Sequence, residues 1–136
     1  MKDVTVLIID EHPEVCASLA HSLSGIHGLR VVAHTGNPVW AAEFARYWSP
    51  QIILVDFKLG PRPRAEAVAW LKKISPASQI VVHAAYFVNG ERDAFHLSGA
   101  TECLLKGLSS FELGRELRRV ALEAAADRIA TTSSGW

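Results

Sequence analysis

Gln51-Ile52-Ile53-Leu54-Val55-Asp56 is an unbroken apolar run closed by a carboxylate. Nothing polar lies between Gln51 and Asp56. Such a run reads as a strand buried on both faces of a parallel sheet. Val4-Thr5-Val6-Leu7-Ile8-Ile9-Asp10 is a similar run, and Lys106 follows a third, shorter one, Cys103-Leu104-Leu105. Charged groups at the carboxyl ends of parallel strands converge on one edge of the sheet, where open α/β sheets bind ligands. Asp10, Glu11, Asp56 and Lys106 are the candidates for that edge.

Strand-like runs alternate with helix-like ones along the chain, which argues for βαβ units around a parallel sheet. The strands read as Val4–Asp10, Leu29–Ala33, Gln51–Asp56, Gln79–Ala84 and Cys103–Leu105. The first helix opens at Pro13, a residue suited to the first helical position, and ends near Ser24-Gly25. The second opens at Asn37-Pro38 and runs to about Trp48. The third spans about Ala65 to Ile74, after a stiff approach through Pro61 and Pro63. The fourth runs from about Gly90 to Ser98. The fifth begins with the capping box Ser109-x-x-Glu112 and continues to about Ile129. Phe111, Leu113, Leu117, Val120, Ala121 and Ala124 give it one apolar stripe, with Arg115, Arg118 and Arg119 off it. The expected fold is α/β, a doubly wound flavodoxin-like (βα)5 sheet of strand order 2-1-3-4-5.

The 136 residues make one domain by length. The division read from the sequence is a domain over 1–129 and a flexible tail over 130–136, with too few residues left for an output domain. Apolar residues make up 49% and charged residues 21%, ordinary values for a globular protein. Formal net charge is zero, so electrostatic binding to nucleic acid or to an anionic membrane has no support. No apolar run approaches a membrane span, and no secretory signal precedes the first strand. Cys16 and Cys103 make neither a disulfide framework nor a four-ligand metal site, and a reducing cytoplasm is the simplest setting.

Strands one and three are neighbours in this order, so Asp10, Glu11 and Asp56 share a pocket. Carboxylates that close repel one another unless a proton or a cation relieves them. Oxygen ligands favour a hard cation such as Mg²⁺, which keeps several waters and often binds phosphate as well. Lys106 can reach in as a mobile point charge for a phosphoryl oxygen. Asp56 is then the natural nucleophile toward an activated phosphoryl donor. Each residue taken singly could be a solvated cap at a strand end. Their joint placement is what points to function.

The chain resembles a response-regulator receiver domain of bacterial two-component signalling, from Val4 to about Val120. Leu7-Ile-Ile-Asp-Glu-His-Pro13 is similar to the first strand with its acidic pair. Ile52-Ile-Leu-Val-Asp-Phe-Lys-Leu59 is similar to the strand carrying the phosphoacceptor, and Gly99-Ala-Thr-Glu-Cys-Leu-Leu-Lys106 to the segment ending in the lysine. Asp-Glu-His-Pro is closest to the subfamily that usually carries a helix-turn-helix output domain. The resemblance implies that a histidine kinase or phosphotransfer protein donates phosphoryl to Asp56. It implies Mg²⁺ on Asp10, Glu11, Asp56 and the backbone carbonyl of Lys58, and Lys106 on the phosphoryl group. Glu11 stands where such domains more often have Asp. The downstream protein is unspecified, and a homodimer through the fourth helix, fifth strand and fifth helix is a family expectation.

Two positions depart from the pattern. The family relays phosphorylation through a Thr or Ser at the end of strand four and an aromatic residue on strand five. The family's spacing puts Ala84 and Cys103 there. Strand alternation and the spacing place Ala84 toward the site and His83 on the opposite face, as a core residue; a register shifted by one residue would instead put the His83 imidazole at the switch position as a donor. Gly60-Pro-Arg-Pro-Arg64 reads first as a rigid solvated turn beside Asp56; the sharper reading is that Arg62 or Arg64 contacts a phosphoryl group or an acidic partner. The alternative reading is therefore a pseudo-receiver, the same fold used as an interaction module independent of phosphate. A small α/β enzyme is disfavoured, because G-x-G-x-x-G and G-K-[ST] are both missing.

Overall fold

The computed structural model describes residues 2–56 and 63–134, with side chains to residue 130. Among the described residues, strands and helices alternate strictly: β1 (Val4–Asp10), α1 (Pro13–Ser24), β2 (Leu29–Thr35), α2 (Pro38–Trp48), β3 (Ile52–Asp56), α3 (Arg64–Ile74), β4 (Gln79–Ala84), α4 (Glu91–Leu97), β5 (Ala100–Leu105) and α5 (Ser110–Ser134). The strands form one parallel sheet in the order β2-β1-β3-β4-β5. This is the flavodoxin-like architecture expected from the alternating runs. Lys58 and Arg62, and the approach through Pro61, lie outside the described residues.

Each sheet face has its own core. Leu7, Ile9, Ile53, Val55, Ile80 and Val82 pack with Ala41 and Ala45 of α2, Val68 and Leu71 of α3, and Phe95 of α4. Val6, Ile8, Ile52, Leu54 and Val81 pack with Cys16 and Leu23 of α1 and Leu113, Leu117 and Val120 of α5. Strand alternation sends neighbouring side chains to opposite faces, so the central strands must be apolar throughout.

Helix ends follow the local chemistry. Asn37 Oδ1 accepts the backbone N–H groups of Val39 and Trp40 at 2.8 and 3.2 Å, capping α2. Ser109 and Glu112 form the reciprocal capping box of α5, each bond 3.1 Å long.

Some boundaries differ from the sequence reading. β5 starts at Ala100 and β2 reaches Thr35. Both are edge strands, whose polar residues hide the pattern; on β5, Thr101 bonds Gln79 and Glu102 pairs with Arg119. α5 runs past Ile129 to Ser134. Phe111 is 63% exposed and stands outside the buried stripe of α5. No helix among the described residues is long and apolar enough to cross a membrane.

One glycine controls the carboxyl edge. Gly36, directly after β2, packs against the main chain of Asp10. A Cβ there would lie 2.6 Å from the Asp10 carbonyl oxygen, closer than any real side chain comes.

Candidate functional site

Asp10 and Asp56 close β1 and β3 as direct register partners. Asp10 is held from both sides. Its Oδ1 accepts the backbone N–H of His12 at 2.9 Å, a turn that fixes the carboxylate just before Pro13 opens α1. Its Oδ2 accepts from Lys106 Nζ at 3.1 Å. The same ammonium pairs with Asp56. Lys106 is aimed there by its backbone, since its N–H donates to the Ala84 carbonyl at 2.7 Å, just past the end of β5.

Burial makes this pairing necessary. Asp10 is 1% exposed, and an ionised carboxylate so enclosed needs a counter-charge and hydrogen bonds. Asp56 and Lys106 are half-buried, open enough for a reactant to approach. Burial works to lower the Lys106 ammonium, but its hydrogen bonds to Asp56 and Asp10 outweigh that and shift it upward. Lys106 therefore stays charged at neutral pH.

The expected group is brought together only in part. Asp10, Asp56 and Lys106 converge. Glu11 is exposed and is not among the groups that close around a common point. The third member is His12, which offers a ring nitrogen within 4.8 Å of both carboxylates. Its Nδ1 lies 3.3 Å from Asp10 Oδ1. Alternation past Asp10 turns Glu11 outward, while the turn on Asp10 brings His12 back. A His two residues after a strand-ending Asp was the available signal. His12 does not pair with Cys16, one helical turn away; the Cys16 thiol lies 3.7 Å from His34 Nδ1. Arg64 is engaged elsewhere, donating to Glu91 of α4 at 3.1 Å.

For His83 the strand register argues for a different face from the one expected. Ile8, Leu54 and Val81 belong to one core, and each lies two residues before Asp10, Asp56 and His83 respectively. Alternation therefore puts His83 on the face of Asp10 and Asp56, while Ala84 shares the other face with Val82. Val55 and Val82 are the last register partners of β3 and β4, and Asp56 and His83 are the next residue of each strand. Family spacing locates a residue along the strand but not the face it takes. His83 is buried, yet its Nδ1 has no hydrogen-bond partner among the described residues. Leaving such an atom unpaired costs about 1–3 kcal/mol. Burial, reinforced by the Lys106 charge and opposed by Asp56 and Asp10, pushes the imidazole down to about 4.

Cys103 is buried on β5, and its carbonyl accepts from Arg92 of α4 at 3.2 Å. Burial pushes its thiol up to about 11, against a smaller opposing effect of Arg92. It is an inert apolar group in the core.

The donor set suits a divalent cation. Two carboxylates, one buried and one half-buried, offer oxygens close together, with an imidazole beside them. Asp10 and Asp56 are the residues that would hold Mg²⁺. Lys58, whose carbonyl was expected to assist, lies outside the described residues.

No family model matches the sequence. Among curated proteins, the chain is 28% identical over 124 residues to a protein-glutamate methylesterase/protein-glutamine glutaminase of Myxococcus xanthus, covering 91% of this chain and 35% of that protein. It is 27% identical over 121 residues to the response regulator GacA of Pseudomonas aeruginosa, covering 86% of this chain and 55% of that one. The chain thus spans from about a third to just over half of these relatives. Among solved structures, the signal receiver domain of the response regulator NarL of Mycobacterium tuberculosis superposes with a TM-score of 0.80 at 20% identity, covering 89% of this chain and 98% of that one. The strand order, the acidic edge and these likenesses lead to one statement: this chain has the fold of a response-regulator receiver domain.

Proposed function

We propose that this chain is a phosphoacceptor: Asp56 takes a phosphoryl group from a phosphohistidine on a histidine kinase or phosphotransfer partner. The observation that carries this reading is the ion pairing of one ammonium, Lys106, with both Asp10 and Asp56 at the ends of adjacent strands. An Asp56 oxygen attacks phosphorus, the phosphorus–nitrogen bond of the donor breaks, and the donor imidazole leaves and takes up a proton. The product is an acyl phosphate on Asp56. Lys106 follows the charge from the carboxylate to the phosphoryl oxygens, over which the negative charge of the transferring group is spread. Asp10 holds Lys106 in place and, with Asp56, would hold Mg²⁺, which when bound neutralises charge on the phosphoryl oxygens.

Output proceeds through protein contacts in the cytoplasm, with no catalysis of a separate substrate. Leu97, Leu105 and Phe111 on the α4–β5–α5 side are exposed and available for such contacts. Ala84 and the inert Cys103 favour a subdued conformational response, because neither can act as a hydroxyl donor or a swinging ring.

Incubation with Mg²⁺ and acetyl phosphate tests the acceptor reading by intact mass. One added phosphoryl group is expected on the parent and none on Asp56→Asn. If the two proteins behave alike, the acceptor reading fails and the interaction-module reading takes its place.

A further inference from the structure

We infer that His83 is the polar group through which β4 meets a phosphoryl group on Asp56, an inference that rests on the acceptor reading above. Three observations converge on this side chain. It follows the paired Val55 and Val82 by one residue, and by alternation from Val81 it takes the sheet face of Ile8 and Leu54, which is also that of Asp10 and Asp56. It is buried, and among the described residues its Nδ1 has no hydrogen-bond partner. The charges of Lys106, Asp56 and Asp10 all act on it. Its register partner on β5 is Leu104, and a buried strand position of this kind would be filled more simply by an aliphatic residue.

Phosphorylation changes what surrounds the ring. It attaches to one carboxylate oxygen a phosphorus carrying three further oxygens, all strong acceptors. It also draws Lys106 toward those oxygens. A neutral imidazole has one N–H to donate, and a charged oxygen is a better acceptor than a neutral one. His83 therefore donates to the phosphoryl group, a role that Ala84 cannot fill. The interaction is a hydrogen bond, with no covalent change at the ring.

The test uses the full chain with Mg²⁺ and beryllium fluoride, which mounts a tetrahedral phosphoryl mimic on a carboxylate. Adduct formation is followed by ¹⁹F NMR, and the ring nitrogens of His83 by ¹⁵N NMR of histidine-labelled protein, assigned by their loss in His83→Leu. The His83 nitrogens are expected to shift when the adduct forms, and not in Asp56→Asn. His83→Leu should bind the mimic about tenfold more weakly, the scale of one lost hydrogen bond to a charged group. His83→Gln, which keeps a donor, should recover most of that loss, which a purely structural role would not produce. Unmoved His83 nitrogens with full mimic affinity in His83→Leu would overturn this role and leave the acceptor reading standing. No adduct on the parent protein would overturn both.

Discussion

Lys106 sits between Asp10 and Asp56, its Nζ 3.1 Å from Asp10 Oδ2 and paired with Asp56 as well. One positive charge thus serves two carboxylates, of which Asp10 is almost wholly enclosed. The site carries net negative charge even when its lysine is in place. That residual charge is what a divalent cation would answer.

Removing the lysine should show this directly. Lys106→Ala leaves Asp10 buried without its cation, and stability at neutral pH should fall by about 2 kcal/mol. Millimolar Mg²⁺ should stabilise this variant more than it stabilises the parent, because the competing ammonium is gone. Urea midpoints with and without Mg²⁺ measure both effects.

The pH dependence follows from His83. The folded imidazole takes a proton only near pH 4, and the unfolded one near 6.5. Between these values the unfolded chain binds more protons, so stability falls as pH drops through the window. The loss from pH 7 to pH 5 should be about 2 kcal/mol from this group. His83→Leu should lack that component. Urea unfolding of both proteins at the two pH values, in metal-free buffer, gives the difference.

The thiols should be silent in the native state. Cys103 is buried with its thiol pushed up to about 11 from 9.0, which leaves about a hundredfold less thiolate at pH 8 than an ordinary thiol has. Cys16 is raised as well, by burial first and then by Asp10. Alkylation by iodoacetamide, read by intact mass, should be slow on the folded chain and reach two adducts in urea.

The α5 stripe separates core from surface. Leu117 is fully buried against the sheet and Phe111 is 63% exposed, on the same helix. Leu117→Ala should cost about 2–5 kcal/mol. Phe111→Ala should change stability by less than about 0.5 kcal/mol, although it removes the larger side chain. Thermal melts of the two variants decide this.

The fold was legible because parallel central strands leave little room for ambiguity. The runs ending at Asp10 and Asp56 are apolar on both faces, and nothing but a doubly covered sheet accommodates them. The edge strands were read short, because Thr101 and Glu102 look like loop residues until their partners Gln79 and Arg119 are known. At the site, Asp10, Asp56 and Lys106 were legible from strand ends alone. Glu11 is exposed and outside the group of Asp10, His12 and Asp56, because adjacency in sequence does not ensure adjacency in space. His12 enters through a turn closed on the Asp10 side chain, a feature of geometry and not of pattern. For His83 the parity was available from Val81, two residues earlier, but family spacing favoured Ala84. Position along a strand and the face of a strand are separate facts, and only the second decides which side chains meet.

Gly36 contributes no atom to phosphate chemistry, yet the Asp10 carbonyl occupies the place its side chain would need. Any substitution there forces the end of the first strand and the segment around Gly36 apart, at the residue whose carboxylate belongs to the site. A variant at this residue would mimic a catalytic lesion while every reactive group remained intact. The tolerance of this signalling edge to mutation is therefore set partly by a neighbour that is notable for having nothing to give.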